Sequence, residues 1–182
     1  MPPGAHPLGS PAANEDREDL ALKFTITPTL TVATFNVGLL RVRLAGGPTI
    51  FCNPALVNER LPFVGQALLQ LDADVLALQE VYEEAHVRLI CEALSGKYPH
   101  VARRVRRHLA PWKCNNGLML LSRYPLLDVE LHVHRHAALL EHMMGSKCFL
   151  TAVVDAPLGR IFVANTHLTA GGASHPEKYV QS

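Results

Sequence analysis

Three polar residues of this chain have the types and positions that could carry out chemistry together. Asn36, Glu80 and His167 each lie at the end of a strand-like run of apolar residues. A carboxylate and an amide oxygen suit a hard cation such as Mg²⁺, which takes few protein ligands and keeps several waters. An imidazole beside them can hydrogen-bond to a phosphoryl oxygen or protonate it. The three residue types together favour metal-assisted attack on a phosphate ester.

Each of these residues also has a purely structural interpretation. Glu80 precedes the predicted helix Glu83–Leu94, and an acidic side chain near a helix amino terminus is favourable. A single histidine at a strand end is more often structural than catalytic. The functional interpretation gains weight because a polar residue occurs at the same kind of position three times.

The segments around the first two residues must bring them to the same place. Leu30–Asn36 and Asp74–Glu80 are predicted strands, and apolar residues recur at helical spacing between them. Pro62 is best tolerated near a first turn, so this helix is predicted to begin at about Glu59 or Arg60. A right-handed crossover makes the two strands parallel, with both carboxyl ends at one edge of the sheet. The pattern therefore predicts that Asn36 and Glu80 converge.

The remaining segments predict an α/β protein built in layers. Arg41–Pro54 contains several glycines and prolines and is predicted to be a loop. From Asn116 onward, short strand-like runs are separated by turn signals; these runs are Gly117–Ser122, Leu126–His134, Cys148–Ala156 and Arg160–Thr166. A βαβ beginning followed by a meander indicates a layered α/β sandwich. No glycine-rich nucleotide-binding motif is present in the sequence, which argues against a Rossmann domain.

Composition limits the class of protein. The 182 residues are 48% apolar with a formal net charge of +1, which is typical of one soluble globular domain. Residues 1–28 are rich in Pro, Gly, Ala and charged residues and are predicted to be a flexible tail. The folded part is therefore expected at 29–182. The sequence shows no signal-peptide pattern and no apolar run near the roughly 20 residues that a spanning helix needs. Four cysteines without a CxxC pair suggest neither zinc nor a disulfide framework.

Two further clusters leave alternatives open. A basic cluster, made of Arg103, Arg104, Arg106 and Arg107, could contact phosphates, although such clusters are more often solvated. His132, His134 and His136 would share one face of a strand and could bind a transition metal. No acidic partner accompanies them, and alternating histidines also suit an exposed strand.

Four motifs in order carry a resemblance to a known family. They are Thr34-Phe-Asn-Val-Gly38, Leu78-Gln-Glu-Val-Tyr82, Asn116-Gly-Leu-Met-Leu-Leu-Ser-Arg-Tyr-Pro125 and Asn165-Thr-His-Leu168. From about Leu30 onward the chain resembles the endonuclease/exonuclease/phosphatase superfamily, whose fold is DNase I-like. Within it, the chain looks most like the neutral sphingomyelinase branch. The resemblance implies a four-layered α/β sandwich with Mg²⁺ in a cleft between two sheets.

The resemblance also implies roles for particular residues. Asn36 and Glu80 would be metal ligands, with Glu80 the principal one, and His167 would contact the scissile phosphate as a catalytic residue. Asn116 and Asn165 would bind substrate. The expected activity is that of a Mg²⁺-dependent phosphodiester hydrolase.

The implied substrate is a phosphodiester, with sphingomyelin favoured and a peripheral contact with the membrane expected. The alternative within the superfamily is a nuclease or an inositol-phosphate phosphatase. Nucleic acid is the less expected partner because the net charge is only +1. We expect a cytoplasmic or peripheral membrane location, and the sequence does not indicate an oligomeric state.

The sequence departs from the family pattern in one respect. A Gly-Asp-Phe-Asn motif and a later Asp-His pair, which supplies the general base, do not occur in these residues. Asp128 and Asp155 do not match those positions. We therefore expect the chain to contain the amino-terminal portion of the domain without its carboxyl-terminal half. Such a chain would be catalytically incomplete, or a truncated product without catalytic function.

Overall fold

The computed structural model describes residues 28–43, 47–104, 115–133 and 148–168, so most of the predicted tail lies outside the described residues. In chain order the elements are β1 Val32–Asn36, β2 Leu40–Arg43, β3 Thr49–Asn53, α1 Val57–Gln70, β4 Val75–Gln79, α2 Glu84–Leu94, β5 His100–Ala102, β6 Met119–Ser122, β7 Leu126–Val133, β8 Cys148–Ala156 and β9 Gly159–Thr166. The strands form a four-stranded sheet, a two-stranded hairpin and a three-stranded sheet.

The four-stranded sheet has the strand order β1-β4-β6-β5 and contains the predicted crossover. Strands β1 and β4 are parallel, with Val32 opposite Val75 and Asn36 opposite Gln79. Strand β6 runs antiparallel to β4, and β5 antiparallel to β6. All five residues of β4 are buried, because it is an interior strand covered on both faces. The prediction that β1 and β4 end at one edge of the sheet is confirmed.

Two apolar cores lie on the two faces of this sheet. Leu76 and Leu78 of β4 pack with residues of α1 and α2 in the first core. Val75 and Ala77, on the opposite face, pack with residues of the β7-β8-β9 sheet in the second. The described residues thus build three layers, in the order helices, mixed sheet and antiparallel sheet. This arrangement confirms the α/β class.

The structure corrects one prediction and shifts a boundary. Residues 41–54 were predicted to be a loop, but β2 and β3 pair there as an antiparallel hairpin. Apolar and β-branched residues such as Val42, Ile50 and Phe51 form the paired strands, while Gly47 and Pro48 lie between them. Helix α1 begins at Val57, earlier than predicted, since the Arg60 amide donates to the Leu56 carbonyl at 3.0 Å.

The last two strands agree closely with the predicted strand-like runs Cys148–Ala156 and Arg160–Thr166. Strands β8 and β9 pair from Phe149–Thr166 down to Ala156–Gly159, with Pro157 and Leu158 between them. In the part of the chain that the structure describes, no helix is both long and apolar enough to cross a bilayer.

Candidate active site

The ends of three strands bring together the three residues that the sequence singled out. The Asn36 side-chain amide donates a hydrogen bond of 2.9 Å to Oε1 of Glu80. Nε2 of His167 lies 3.5 Å from the same oxygen. The side chains of Glu80 and His167 retain 16% and 23% of their exposure, so a ligand from solvent can reach both. The predicted convergence of Asn36 and Glu80 is confirmed, and His167 joins them from the other sheet.

The backbone at Glu80 has an unusual conformation. Its φ is +62°, a left-handed value that costs a non-glycine residue on the order of 1 kcal/mol or more. Two hydrogen bonds hold the flanking chain: Leu39 N donates to the Glu80 carbonyl at 3.3 Å, and Val81 N donates to the Gly117 carbonyl at 3.0 Å. Strained residues of this kind cluster at functional sites.

Asn36 is held by a tight turn. Its Oδ1 accepts the amide of Gly38 at 2.9 Å. Gly38 has φ +64°, and an added Cβ would lie 2.8 Å from Cδ of Pro54, so only glycine fits there. The guanidinium of Arg60 donates to the carbonyls of Gly38 and, at 3.4 Å, of Val37. In this orientation the amide nitrogen of Asn36 faces Glu80, and ligation of a cation through Oδ1 requires the amide to rotate.

Asn165 and Gln79 form a buried connection between the two sheets, next to the site. They are 2% and 6% exposed. Gln79 Nε2 donates to Asn165 Oδ1 at 2.6 Å, and Asn165 Nδ2 donates to the carbonyls of Leu78 at 2.8 Å and Met119 at 3.0 Å. The predicted role of Asn165 in substrate binding stays a prediction. Gln79 was missed, although an amide at the end of a buried apolar strand signals a need for hydrogen-bond partners.

Asn116 lies in the segment that leads into β6. Its Nδ2 donates to the Arg104 carbonyl at 2.7 Å, and its Oδ1 accepts the Leu118 amide at 2.9 Å. The neighbouring Gly117 supports the chain after Glu80, so Asn116 lies close in sequence to the site's scaffold. Its predicted contact with substrate also stays a prediction.

An ion pair that sequence reasoning missed supports the chain after Glu80. Arg41 contacts both carboxylate oxygens of Glu83, with distances of 2.6 and 2.5 Å, and donates to Oδ1 of Asn58 at 2.6 Å. These hydrogen bonds from Arg41 hold the pKa of Glu83 below its usual value. Nη2 of Arg41 also lies 3.3 Å from Nε2 of His86. Burial lowers the pKa of His86, which is 1% exposed and whose Nδ1 has no hydrogen-bond partner.

The described part of the basic cluster contacts the protein itself. Arg103 donates to both carboxylate oxygens of Glu84 at 2.7 and 2.8 Å. Arg104 donates to the Val129 carbonyl at 3.2 Å. Arg106 and Arg107 lie outside the described residues.

The histidine cluster is described only at its first member. The ring of His132 stacks on Phe149 with centroids 4.7 Å apart, and Nε2 lies 3.2 Å from Oγ1 of Thr151. Nε2 also lies 3.3 Å from Oε2 of Glu130, so the expectation that no acidic partner accompanies the histidines is wrong for His132. His134 and His136 lie outside the described residues. Within ranges 28–43, 47–104, 115–133 and 148–168, no group of three or more His, Cys, Asp or Glu side chains is placed to hold a metal ion.

The chain is similar to known proteins in both sequence and fold. The sequence model of the Endonuclease/Exonuclease/phosphatase family matches residues 33–176. A curated relative, sphingomyelin phosphodiesterase 5 of Danio rerio, is 29% identical over 129 residues, covering 63% of this chain and 24% of the relative.

Solved structures show the same fold. Sphingomyelinase C from Streptomyces griseocarneus superposes with a TM-score of 0.64 at 22% identity, over 85% of this chain and 55% of that protein. An endonuclease/exonuclease/phosphatase from Beutenbergia cavernae DSM 12333 superposes with a TM-score of 0.60 at 23% identity, over 84% of this chain and 42% of that protein. The chain spans about half the length of these structures and about a quarter of the curated relative. The predicted DNase I-like α/β fold is confirmed.

Proposed function

Because this chain belongs to the Endonuclease/Exonuclease/phosphatase family, we propose that it serves Mg²⁺-dependent hydrolysis of a phosphodiester, with sphingomyelin as the favoured substrate. The observation that carries the proposal is the meeting of Asn36, Glu80 and His167 around one carboxylate oxygen. These side chains come from two different sheets and supply groups for binding a metal ion and a phosphate, while the general base expected of the family does not occur in these residues.

The residues at the site fit a magnesium ion. Mg²⁺ is usually held by one or two carboxylates and keeps several waters, and Glu80 provides one carboxylate that is partly open to solvent. Asn36 offers a second hard oxygen once its amide rotates, and rotation moves its nitrogen away from Glu80. When bound, such an ion polarises a phosphoryl oxygen and lowers the pKa of coordinated water.

His167 has a separate role in the proposal. Its Nε2 lies 3.5 Å from the Glu80 carboxylate, and His167 directly follows β9, whose pairing with β8 is regular. From that position it donates a hydrogen bond to a phosphoryl oxygen of the substrate, where negative charge grows during the reaction. Asn116 remains a proposed substrate-binding residue by resemblance, whereas the buried side-chain amide of Asn165 is already hydrogen-bonded within the core.

The choice of substrate rests on the relatives. The names of the Danio rerio relative and of the Streptomyces griseocarneus structure both refer to sphingomyelin. A net charge of +1 gives no general attraction for a polyanion such as nucleic acid. Sphingomyelin lies in a bilayer, so the proposal includes contact of this protein with a lipid surface.

Metal binding is the first test. Isothermal titration of Mg²⁺, repeated with Mn²⁺, compares the unchanged chain with Glu80→Gln and with Glu92→Gln. Glu92 is an exposed α2 carboxylate, so its variant matches the change in charge. We expect Glu80→Gln to weaken binding at least about tenfold and Glu92→Gln to leave it unchanged. An unchanged chain that binds neither ion refutes the metal dependence.

The substrate is tested separately. Vesicles that contain sphingomyelin are compared with phosphatidylcholine vesicles, which carry the same headgroup, and with single-stranded DNA. Because the general base expected of the family does not occur in these residues, binding is measured instead of turnover, by titrating each with the chain in the presence and absence of Mg²⁺. Mg²⁺-dependent binding to sphingomyelin vesicles above phosphatidylcholine vesicles supports the proposal, whereas binding to DNA alone favours the nuclease alternative.

A further inference from the structure

The buried side-chain amides of Asn165 and Gln79 belong to residues that lie next to, or two residues from, the proposed catalytic groups in the chain. Asn165 precedes His167 by two residues on β9, and Gln79 directly precedes Glu80 at the end of β4. Their side chains are joined by a 2.6 Å hydrogen bond between the two sheets. A movement at this connection is therefore passed to both Glu80 and His167.

Most of the contact between the two sheets is apolar, and such contact does not fix the distance between particular residues of the two sheets. The second core consists of small and aliphatic side chains such as Val75, Ala77 and Leu150. Apolar contacts are non-directional, so they hold the layers together without fixing how strand ends align. The Asn165 amide differs, because its hydrogen bonds have strict distances and angles.

The hydrogen bonds of Asn165 reach two strands of the opposite sheet. Its amide nitrogen donates to the carbonyls of Leu78 on β4 and Met119 on β6, and its oxygen accepts from Gln79. Gln79 is fixed in turn by Oγ1 of Thr34 on β1 at 3.0 Å. One buried side chain of β9 is thus tied to three neighbouring strands at the end where the site lies.

We propose that Asn165 is a positioning residue that sets the distance between His167 and Glu80 across the two sheets. This inference rests on the proposed function, because its consequence is that the proposed metal contact of Glu80 and the proposed phosphate contact of His167 form at one place. With its amide used inside the core, Asn165 acts through His167 and does not touch substrate.

The test is an NMR measurement that needs no metal. In the unchanged chain, a nuclear Overhauser cross-peak is expected between the His167 ring and the Glu80 side chain, given the 3.5 Å contact. In Asn165→Ala the strand ends are expected to separate, and the cross-peak should weaken severalfold because its intensity falls steeply with distance. Mn²⁺ affinity, measured by calorimetry on separate metal-free portions of each variant, is expected to fall at least about tenfold.

The matched control removes a buried hydrogen bond at the opposite end of β4. Tyr98 Oη donates to the Ala73 carbonyl at 2.8 Å, and Tyr98→Phe destabilises the fold without touching the site. Should Asn165→Ala fail to fold, Gln79→Met removes the partner of the same connection. A cross-peak lost in Asn165→Ala or Gln79→Met but kept in Tyr98→Phe supports the proposal.

Two outcomes separate this inference from the proposed function. A cross-peak that keeps its intensity in Asn165→Ala, or in Gln79→Met if only that variant folds, overturns the positioning role whatever the metal affinity. An unchanged chain that binds no Mn²⁺, but loses the cross-peak on substitution of Asn165, refutes the metal dependence and supports the positioning role.

Discussion

Gly117 supports the chain that carries Glu80, and replacing it with alanine gives a prediction that can be worked from the geometry. Gly117 has φ +70°, and an added Cβ would lie 2.7 Å from Cε1 of Tyr82. A left-handed conformation costs an L-residue about 1–2 kcal/mol, and displacing a packed ring costs about 1–3 kcal/mol. Gly117→Ala should therefore lower the free energy of unfolding by about 2–5 kcal/mol. At about 2–4 °C per kcal/mol for a chain of this size, Tm falls by at least about 4 °C.

The assay is thermal and urea unfolding followed by circular dichroism, with Gly96→Ala as the control. A Cβ at Gly96 meets no atom within 4 Å, so this variant should change the unfolding free energy by no more than about 0.5 kcal/mol. Equal Tm values for the two alanine variants would refute the reasoning. A second readout is the Mn²⁺ affinity, which Gly117→Ala should weaken because Val81 hydrogen-bonds to the Gly117 carbonyl.

Two further predictions concern the ion pair behind the site. The folded pKa of His86 lies below its ordinary value near 6.5 because of burial, so the unfolded chain takes up the proton first as pH falls. The free energy of unfolding should thus decrease from pH 7 to pH 5, by at most about 1.4 kcal/mol per pH unit. In urea titrations His86→Gln should reduce this pH dependence. An equal pH dependence in the variant would contradict the role given to His86. Arg41→Ala should destabilise the fold by about 2–3 kcal/mol by leaving the Glu83 carboxylate without its partner. Glu83 has a lowered folded pKa, so its stabilisation is lost as pH falls through that value, and this acid-dependent loss should shrink in Arg41→Ala.

The sequence predicted the positions of Asn36 and Glu80 because both follow from local rules. A parallel crossover places the carboxyl ends of its strands together, and the apolar run of β4 identified a strand buried on both faces. The hairpin of β2 and β3 was missed because the two glycines and two prolines of Arg41–Pro54 are typical loop signals. Local composition there hid the strand-forming residues on each side of the turn.

Partners across the fold could not be predicted in the same way. That Asn165 meets Gln79, and that Arg41 meets Glu83, depends on how the layers pack, which no local pattern specifies. The sequence indicated His167 as a strand-end residue, but only the docking of the second sheet places it beside Glu80.

The hydrogen bond between Gln79 and Asn165 also bears on the order in which the chain folds. Asn36 and Glu80 are 44 residues apart and belong to one βαβ unit, whereas Gln79 and Asn165 are separated by 86 residues. Contacts between distant residues form late, since the chain must first be ordered between them. We therefore expect a nascent chain to assemble the carboxylate–amide pair first and to acquire His167 when the meander docks. Protection of the Asn165 side-chain amide from hydrogen exchange would show when His167 has been placed beside Glu80 in a newly made molecule.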